Sequence, residues 1–412
     1  MIKMRKLLIL LAVLYSQIFA GEWDNAAFLK TPRAGASAIS WNGKIYIFGG
    51  KSLNNNILNT VEIYDPNTGS WDESAAAPFH QARYNASAVL WNDKVYLLGG
   101  RTIKDVLKDV EVYDLAQNKW SAAHDLRNPR EGHSACFFNE RIYAIGGQDK
   151  DSQLVDSIEW YDNSKDNWEE AVFELPYARS AQFSSVYDDV YFMFGGYYWG
   201  LTKYIYKAQP GSNGYEWQQI GELSEPRAYG ATAQIDSLIF IIGGETHDDK
   251  TNLVEIFNAK TGEITRGDDM NMSHSGMATA VLDNQIYSIG GYEKGSNVPV
   301  NHVHRYSYFT TAVEDEFVDA LPTGLDALAY PNPFQKRVRL LIETATSEPV
   351  SITVYNMRGQ RIRDLEGSEN SNRLEVVWHG DDARGNRMPA GLYFVVIQAG
   401  KLTKTVKLTY VN

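Results

Sequence analysis

The chain has 412 residues, with 39 basic against 51 acidic side chains and a formal charge of −12 at neutral pH. That balance argues against a general binder of phosphate backbones, and no basic cluster with interleaved aromatics offsets it. A single cysteine excludes an internal disulfide, so stability must come from packing; 12% aromatic residues and 33 glycines suit a repetitive β protein.

Residues 1–20 read as a secretory signal: "MIKMRK" is a basic start, "LLILLAVLY" a short apolar run, and "SQIFA" a cleavage site after Ala20. The run is short for a membrane-spanning helix, and no later stretch reaches 18 apolar residues, so no transmembrane segment is expected in the mature chain. Without Lys3, Arg5 and Lys6, 36 basic residues face 51 acidic ones.

From residue 22 onward one pattern returns six times. "KIYIFGG" ends at Gly50, "KVYLLGG" at Gly100, "RIYAIGG" at Gly147, "DVYFMFGG" at Gly196, "LIFIIGG" at Gly244 and "QIYSIGG" at Gly291, at spacings of 50, 47, 49, 48 and 47. Each period predicts four short antiparallel strands, the first two joined by a tight turn such as Asn42-Gly43 or Asn92-Asp93. Such a sheet cannot bury both faces alone, and radial stacking around a central channel solves the problem. Trp71, Trp120, Trp168 and Trp217, spaced 49, 48 and 49, are expected to fill the wedges between diverging sheets. Cys136 lies in an alternating strand and is expected to be a buried small hydrophobe.

A Gly-Gly pair, then a spaced Tyr, then a spaced Trp is the pattern of Gly49-Gly50, Tyr64, Trp71; Gly99-Gly100, Tyr113, Trp120; and Gly146-Gly147, Tyr161, Trp168. On these residues the region from about 22 to 313 resembles the Kelch repeat family, with weaker copies at Gly195-Gly196, Gly243-Gly244 and Gly290-Gly291. The resemblance implies an all-β, six-bladed Kelch β-propeller. The sixth copy has no tryptophan, whereas Trp23 sits 48 residues before Trp71 in the phase of a fourth strand. The N-terminal strand is therefore expected to complete the last blade and close the ring over residues 21–313.

A second set shares the period. Arg33, Arg83, Arg130, Arg179 and Arg227 stand at spacings of 50, 47, 49 and 48, and His274 holds the sixth position. They are expected either to fix the blade turns or to form a cationic ring for an anionic ligand such as an acidic sugar. Kelch repeats often carry an arginine there, which supports the first reading. Glu62, Glu111, Glu159 and Glu255 recur two residues before the repeat aromatic, as if pairing with those arginines. Just beyond each arginine the residue varies: Gly35, Asn85, Gly132, Ala181, Tyr229, Gly276. Specificity can enter there, and in the loop carrying Tyr197, Tyr198 and Trp199. His302 and His304 share a strand face, but no third metal ligand shows in the sequence, so neither metal nor cofactor is expected. No carboxylate pair stands out from the repeated background for glycoside hydrolysis.

Residues 314–328 form an acidic linker, and residues 329–412 predict a small immunoglobulin-like β-sandwich of at most seven strands with Trp378 in its core. "YPNPF", "VYNMRGQRI", "WHGDDARGNRMPAGLYF" and "TKTVKL" closely resemble the C-terminal sorting domain of type IX secretion cargo, itself similar to the immunoglobulin-like module of hook-capping proteins. The resemblance implies export across a Gram-negative-type outer membrane, with the terminal strand bearing Lys401, Lys404 and Lys407 facing the secretion machinery. The second resemblance leaves open a permanent structural module. Together these readings predict a secreted or cell-surface binding protein for a glycan or a protein. An alternative is an enzyme acting on an acidic sugar in the central pocket, because bacterial sialic-acid mutarotases are also exported six-bladed Kelch proteins.

Overall fold

Five repeats each become one four-stranded antiparallel sheet, and the sixth supplies three strands of another, because their aromatic and β-branched runs alternate across short turns that accept left-handed backbone. The computed structural model describes residues 20–309, except 212 and 213, and residues 325–411, except 331, 333, 335, 345–347, 357, 366–367 and 371–372. Residues 1–19 of the expected leader, and the linker up to 324, lie outside the described residues. The chain divides into two compact units, which are taken in turn.

The first blade runs Ser37–Trp41, Lys44–Phe48, Val61–Asp65 and Ser70–Asp72, hydrogen-bonded in that order from the axis outward. At its first turn Asn42 and Gly43 both have positive φ, 47° and 71°, as a type I′ hairpin requires. The innermost strands pack side by side around the axis, and the cycle closes where Ser37–Trp41 meets Ala278–Leu282. The sixth sheet consists of Ala278–Leu282, Gln285–Ile289, Val303–Phe309 and, outermost, Ala20–Asn25. Trp23 thus stands in the last blade: its indole donates to the Asp268 carbonyl at 2.9 Å, and its ring lies 5.0 Å from that of Tyr306. Trp71, Trp120 and Trp168 do the same in their own blades, donating to the carbonyls of Ala27, Ala77 and His124.

Trp217 also packs in its wedge, half-buried against Tyr191 and the cluster between blades III and IV, but from a different rung. In the ladders of blades I to III the tryptophan faces the repeat tyrosine, as in Tyr64 opposite Trp71, but Tyr206 faces Gln219 and Trp217 faces Ala208. Blade IV has a long outer hairpin, Tyr204–Gly211 with Gly214–Glu222, and a bulge at Ile205/Tyr206. The even spacing therefore lands on a different rung, and the Trp217 indole nitrogen has no hydrogen-bond partner. Cys136 is only half-buried; it packs beside the cluster of Phe138, Tyr143 and Tyr191, and desolvation pushes its thiol well above the ordinary range.

The periodic arginines lie a few residues ahead of the inner strands and are buried: Arg33, Arg130 and Arg227 are 0% exposed, Arg83 and Arg179 1%. Arg33 Nη2 meets Glu62 at 2.6 Å, and the equivalent pairs are Arg83–Glu111 at 2.7 Å, Arg130–Glu159 at 2.6 Å and Arg227–Glu255 at 2.6 Å. Nη1 of each donates to the carbonyl of the first glycine in its own Gly-Gly pair, as Arg33 does to Gly49 at 3.0 Å. The glutamate's remaining acceptors hold the segment approaching the blade; Glu62 takes the Lys30 and Thr31 amides at 2.8 and 3.0 Å. Blade IV has Tyr204 at the glutamate position, and there the Arg179 guanidinium lies 5.1 Å from the Tyr206 ring.

The arginine backbone makes a second link. Its carbonyl accepts from the N–H of the second glycine of the preceding blade: Arg83 from Gly50, Arg130 from Gly100, Arg179 from Gly147, Arg227 from Gly196, His274, in the arginine's place, from Gly244 and, across the closure, Arg33 from Gly291, all between 2.8 and 3.0 Å. The crossing explains the paired glycines. A Cβ on Gly49 would stand 2.6 Å from the Arg83 carbonyl oxygen, and its φ of 60° disfavours other residues.

The second unit is a sandwich of two four-stranded sheets. One orders Leu325–Tyr330, Val338–Thr344, Arg373–Trp378, Ser368–Asn370; the other Arg361–Asp364, Val350–Asn356, Gly391–Ala399, Leu402–Tyr410. Eight strands rather than seven result, because short Ser368–Asn370 pairs onto Arg373–Trp378. Trp378 is fully buried between Phe334 and Tyr393 and donates to the Asp381 carbonyl at 2.8 Å. The free edge of Leu402–Tyr410 is partly covered: Phe334 forms a parallel bridge to Tyr410, and the Asn332 amide bonds the Lys407 carbonyl and the Thr409 N–H, both at 2.7 Å. Lys407 remains exposed at that clasp and Lys401 at the far end of the strand.

Two stability measurements test this frame. Trp23→Ala should cost about 3–5 kcal/mol in chemical denaturation, comparable to Trp71→Ala; an unchanged midpoint would show the closing strand to be dispensable. Glu159→Ala strands the buried Arg130 charge and should also cost about 3–5 kcal/mol, whereas Lys44→Ala, which removes only the surface pair with Asp65, should leave the midpoint nearly unchanged.

Candidate functional site

The arginine segments leave one face of the propeller through six residues with left-handed backbone. Gly35, Asn85, Gly132, Ala181, Tyr229 and Gly276 have φ between 52° and 63°. Their amides and carbonyls bond head to tail: Asn85 N–H to Gly35, Gly132 to Asn85, Ala181 to Gly132, Tyr229 to Ala181, Gly276 to Tyr229 and Gly35 to Gly276, at 2.7 to 3.1 Å. A closed backbone ring thus encircles the axis at the mouth. The ring makes no use of side chains, which is why these positions vary in sequence. At Gly35 there is no room for one: a Cβ would stand 2.4 Å from Asn85 Oδ1.

Around this ring stands a crown of six loops, one per blade. In each, the residue after the arginine bridges to the residue after the Gly-Gly pair: Ala34 to Lys51, Tyr84 to Arg101, Glu131 to Gln148, Ser180 to Tyr197, Ala228 to Glu245 and Ser275 to Tyr292. Four tyrosines collect here, Tyr84, Tyr197, Tyr229 and Tyr292. Tyr197 and Tyr229 are about 40% exposed, while Tyr84 and Tyr292 are half-buried. Desolvation raises the phenol pKa of Tyr84, Tyr229 and Tyr292, and the charges of Glu245 and Glu131 add to it at Tyr229. These hydroxyls stay protonated at neutral pH and can donate to a ligand. The charged groups of the crown are partly spent on each other: Glu131 binds Arg101 at 2.5 Å and the Asn85 amide at 3.0 Å, and Glu245 accepts from the Ser275 hydroxyl at 2.9 Å.

The aromatic loop divides on inspection. The Tyr198 ring lies 5.0 Å from that of Tyr177. Trp199 has a φ of 49° and is 83% exposed, at the tip of a turn closed by the Tyr198 N–H to Gly200 carbonyl bond of 2.8 Å. A tryptophan held left-handed in solvent is unfavourable by itself, and such positions cluster where a side chain is needed outside the fold. Arg33, Arg83, Arg130, Arg179, Arg227 and His274, expected either to fix the blade turns or to form a cationic ring, all have buried side chains, and the arginines are committed to carbonyls, to glutamates or, at Arg179, to a carbonyl and an aromatic face. Tyr197 and Tyr229 converge on the mouth, and Trp199 stands at the tip of one of its loops. Sequence reading missed Tyr84 and Tyr292, whose signal was their offset from the arginine and the Gly-Gly pair.

Below the ring the channel holds a cavity of about 210 Å³ walled by small residues such as Ala38, Ala88, Ser134 and Thr232, with His133 and Gln182. Its hydroxyls serve the frame: Ser37 donates to the Ala86 carbonyl, Ser87 to His133 and Thr279 to Thr232, each at 2.6 Å. Burial, with the Arg130 charge nearby, lowers the His133 pKa to about 3, so the ring is neutral. No carboxylate or cation lines this cavity among the described residues. Two larger concavities, of about 690 and 640 Å³, lie at the outer strands, lined in part by Asp125 and Trp168 and by Trp160 and Tyr215.

Comparison with known proteins agrees with this geometry. Residues 17–196 match the KLHDC2/KLHL20/DRC7 Kelch-repeats domain, residues 273–308 the Kelch motif, and residues 328–411 the secretion system C-terminal sorting domain. Alpha-scruin of Limulus polyphemus is 24% identical over 66% of this chain and 26% of its own length. Kelch-like protein 25 of Xenopus tropicalis is 25% identical over 65% of this chain and 38% of its own length. Spermatocyte protein spe-26 of Caenorhabditis elegans is 27% identical over 34% of this chain and 26% of its own length. The chain thus spans well under half the length of these relatives. A solved structure, that of YjhT, superposes with a TM-score of 0.59 at 16% identity, covering 67% of this chain and 95% of YjhT, and so shares the fold. The chain is a Kelch-repeat propeller protein that carries a secretion-system C-terminal sorting domain.

Proposed function

We propose that this is an exported binding protein, secreted or held at the outer surface of a Gram-negative-type bacterium, whose propeller engages an extracellular glycan or protein through the tyrosine crown. The observation that carries the reading is the gathering of Tyr84, Tyr197, Tyr229 and Tyr292 around the mouth, with Trp199 exposed at the tip of one of its loops. Flat rings with a polar tip suit sugar faces and protein hot spots alike. The arginines and glutamates that an acidic-sugar enzyme would draw on are paired inside the frame. The sandwich supports export by type IX secretion, with the machinery as its partner.

Glycan arrays and capture from the native cell surface test the crown. Tyr229→Ser and Trp199→Ala should each weaken binding about tenfold or more, with thermal midpoints unchanged; binding that survives both substitutions counts against this face. Turnover of anomers of an acidic sugar by the wild-type propeller would favour the enzyme instead. A periplasmic reporter fused to residues 325–412 should appear outside a type IX-competent host; retention in the periplasm refutes the export reading.

A further inference from the structure

The sixth blade lacks the buried ion pair. His274 replaces the arginine, and His304 stands where the other blades carry Glu62, Glu111, Glu159 and Glu255. Both imidazoles are buried, 0% and 1% exposed, with ring centroids 5.0 Å apart. All four of their nitrogens lack a hydrogen-bond partner of normal geometry. The Gly290 carbonyl, counterpart of the oxygen that accepts from Arg33, lies beside His274 without reaching that geometry. Buried polar groups left in this state are destabilising, so the pair is a poor substitute for the clasp unless something else joins it.

A third imidazole stands beside them. His302 precedes His304 by two residues on the same strand face, half-buried next to Phe28. One nitrogen from each of His274, His302 and His304 lies within 4.8 Å of the others. Glu293 Oε1 sits 2.5 Å from His302 Nδ1 and 3.7 Å from His274 Nε2. A carboxylate on Nδ1 fixes the tautomer of His302, the usual support of a metal-bound histidine. Bonds of about 2.1 Å in a tetrahedral site place ligand nitrogens about 3.4 Å apart, so the ligand nitrogens must close by up to about 1.4 Å from their 4.8 Å limit, by side-chain rotation.

We propose that His274, His302 and His304, oriented by Glu293, bind a divalent transition ion of the zinc type that takes the place of the Arg–Glu clasp in the closing blade. Three neutral imidazoles select zinc, cobalt, nickel or copper over calcium and magnesium. The ion would staple the segment ahead of the innermost strand to Val303–Phe309, the strand on which the N-terminal strand docks.

Untagged full-length protein is stripped with chelator, loaded with Zn²⁺ or Co²⁺, desalted, and its metal counted by mass spectrometry. One ion per chain is expected, with visible cobalt bands of tetrahedral intensity and a raised thermal midpoint that chelator reverses. His302→Ala, at a half-exposed position that leaves the fold intact, should weaken affinity by about tenfold or more. His274→Arg combined with His304→Glu rebuilds the clasp of the other blades; it should fold and hold no ion. Retention of less than about one-tenth of an ion by the wild type overturns the proposal. So does undiminished binding in either variant, which would place the ion elsewhere.

Discussion

One arginine in each of five repeats, used twice, holds the disc together. Through its side chain it ties its own blade's Gly-Gly turn to a glutamate on the third strand; through its carbonyl it holds the second glycine of the blade before. A guanidinium at 0% exposure is tolerable only with its charge and donors answered, and the four Arg–Glu pairs do this in a dry setting where losing one partner is expensive. Desolvation draws the Arg130 pKa below its usual value while Glu159 opposes the shift, a balance that the geometry must keep.

That arrangement separates frame from function. The charged periodic residues, the wedge tryptophans and the channel hydroxyls are spent on joining blades. The head-to-tail ring at the mouth is made of backbone alone. What remains free to differ between repeats is the crown, and there the tyrosines and Trp199 gather. Blades IV and VI depart from the rule inside the frame as well, one answering its arginine with an aromatic ring and the other replacing the pair with imidazoles.

Periodicity made much of this legible in advance. Blade number, the N-terminal strand in the last blade and the Arg–Glu pairing all follow from residues that repeat at one spacing, because equivalent positions in a ring share an environment. Two kinds of feature were not legible. Backbone hydrogen bonds leave no residue preference beyond a tolerance for positive φ, so the variable run Gly35 to Gly276 looked like a specificity set rather than a ring. The third imidazole was also hidden: His302 lies outside both repeated phases and meets His274 only once the segment ahead of the innermost strand of blade VI is laid beside the third strand. The even spacing of Trp217 hid its change of rung, since a bulge moved the ladder beneath it.

The position of Ala20–Asn25 also sets an order of events. Its sheet neighbour, Val303–Phe309, lies some 280 residues downstream, so the first strand of the disc has nothing to pair with until the last is present. Before then the blades form an arc with unpaired backbone at both ends. Loop-closure entropy grows only logarithmically with length, so this wait is a matter of sequence of assembly more than of energy. A chain cut anywhere before Val303 would therefore leave the disc open, with unpaired sheet edges on both sides of the gap.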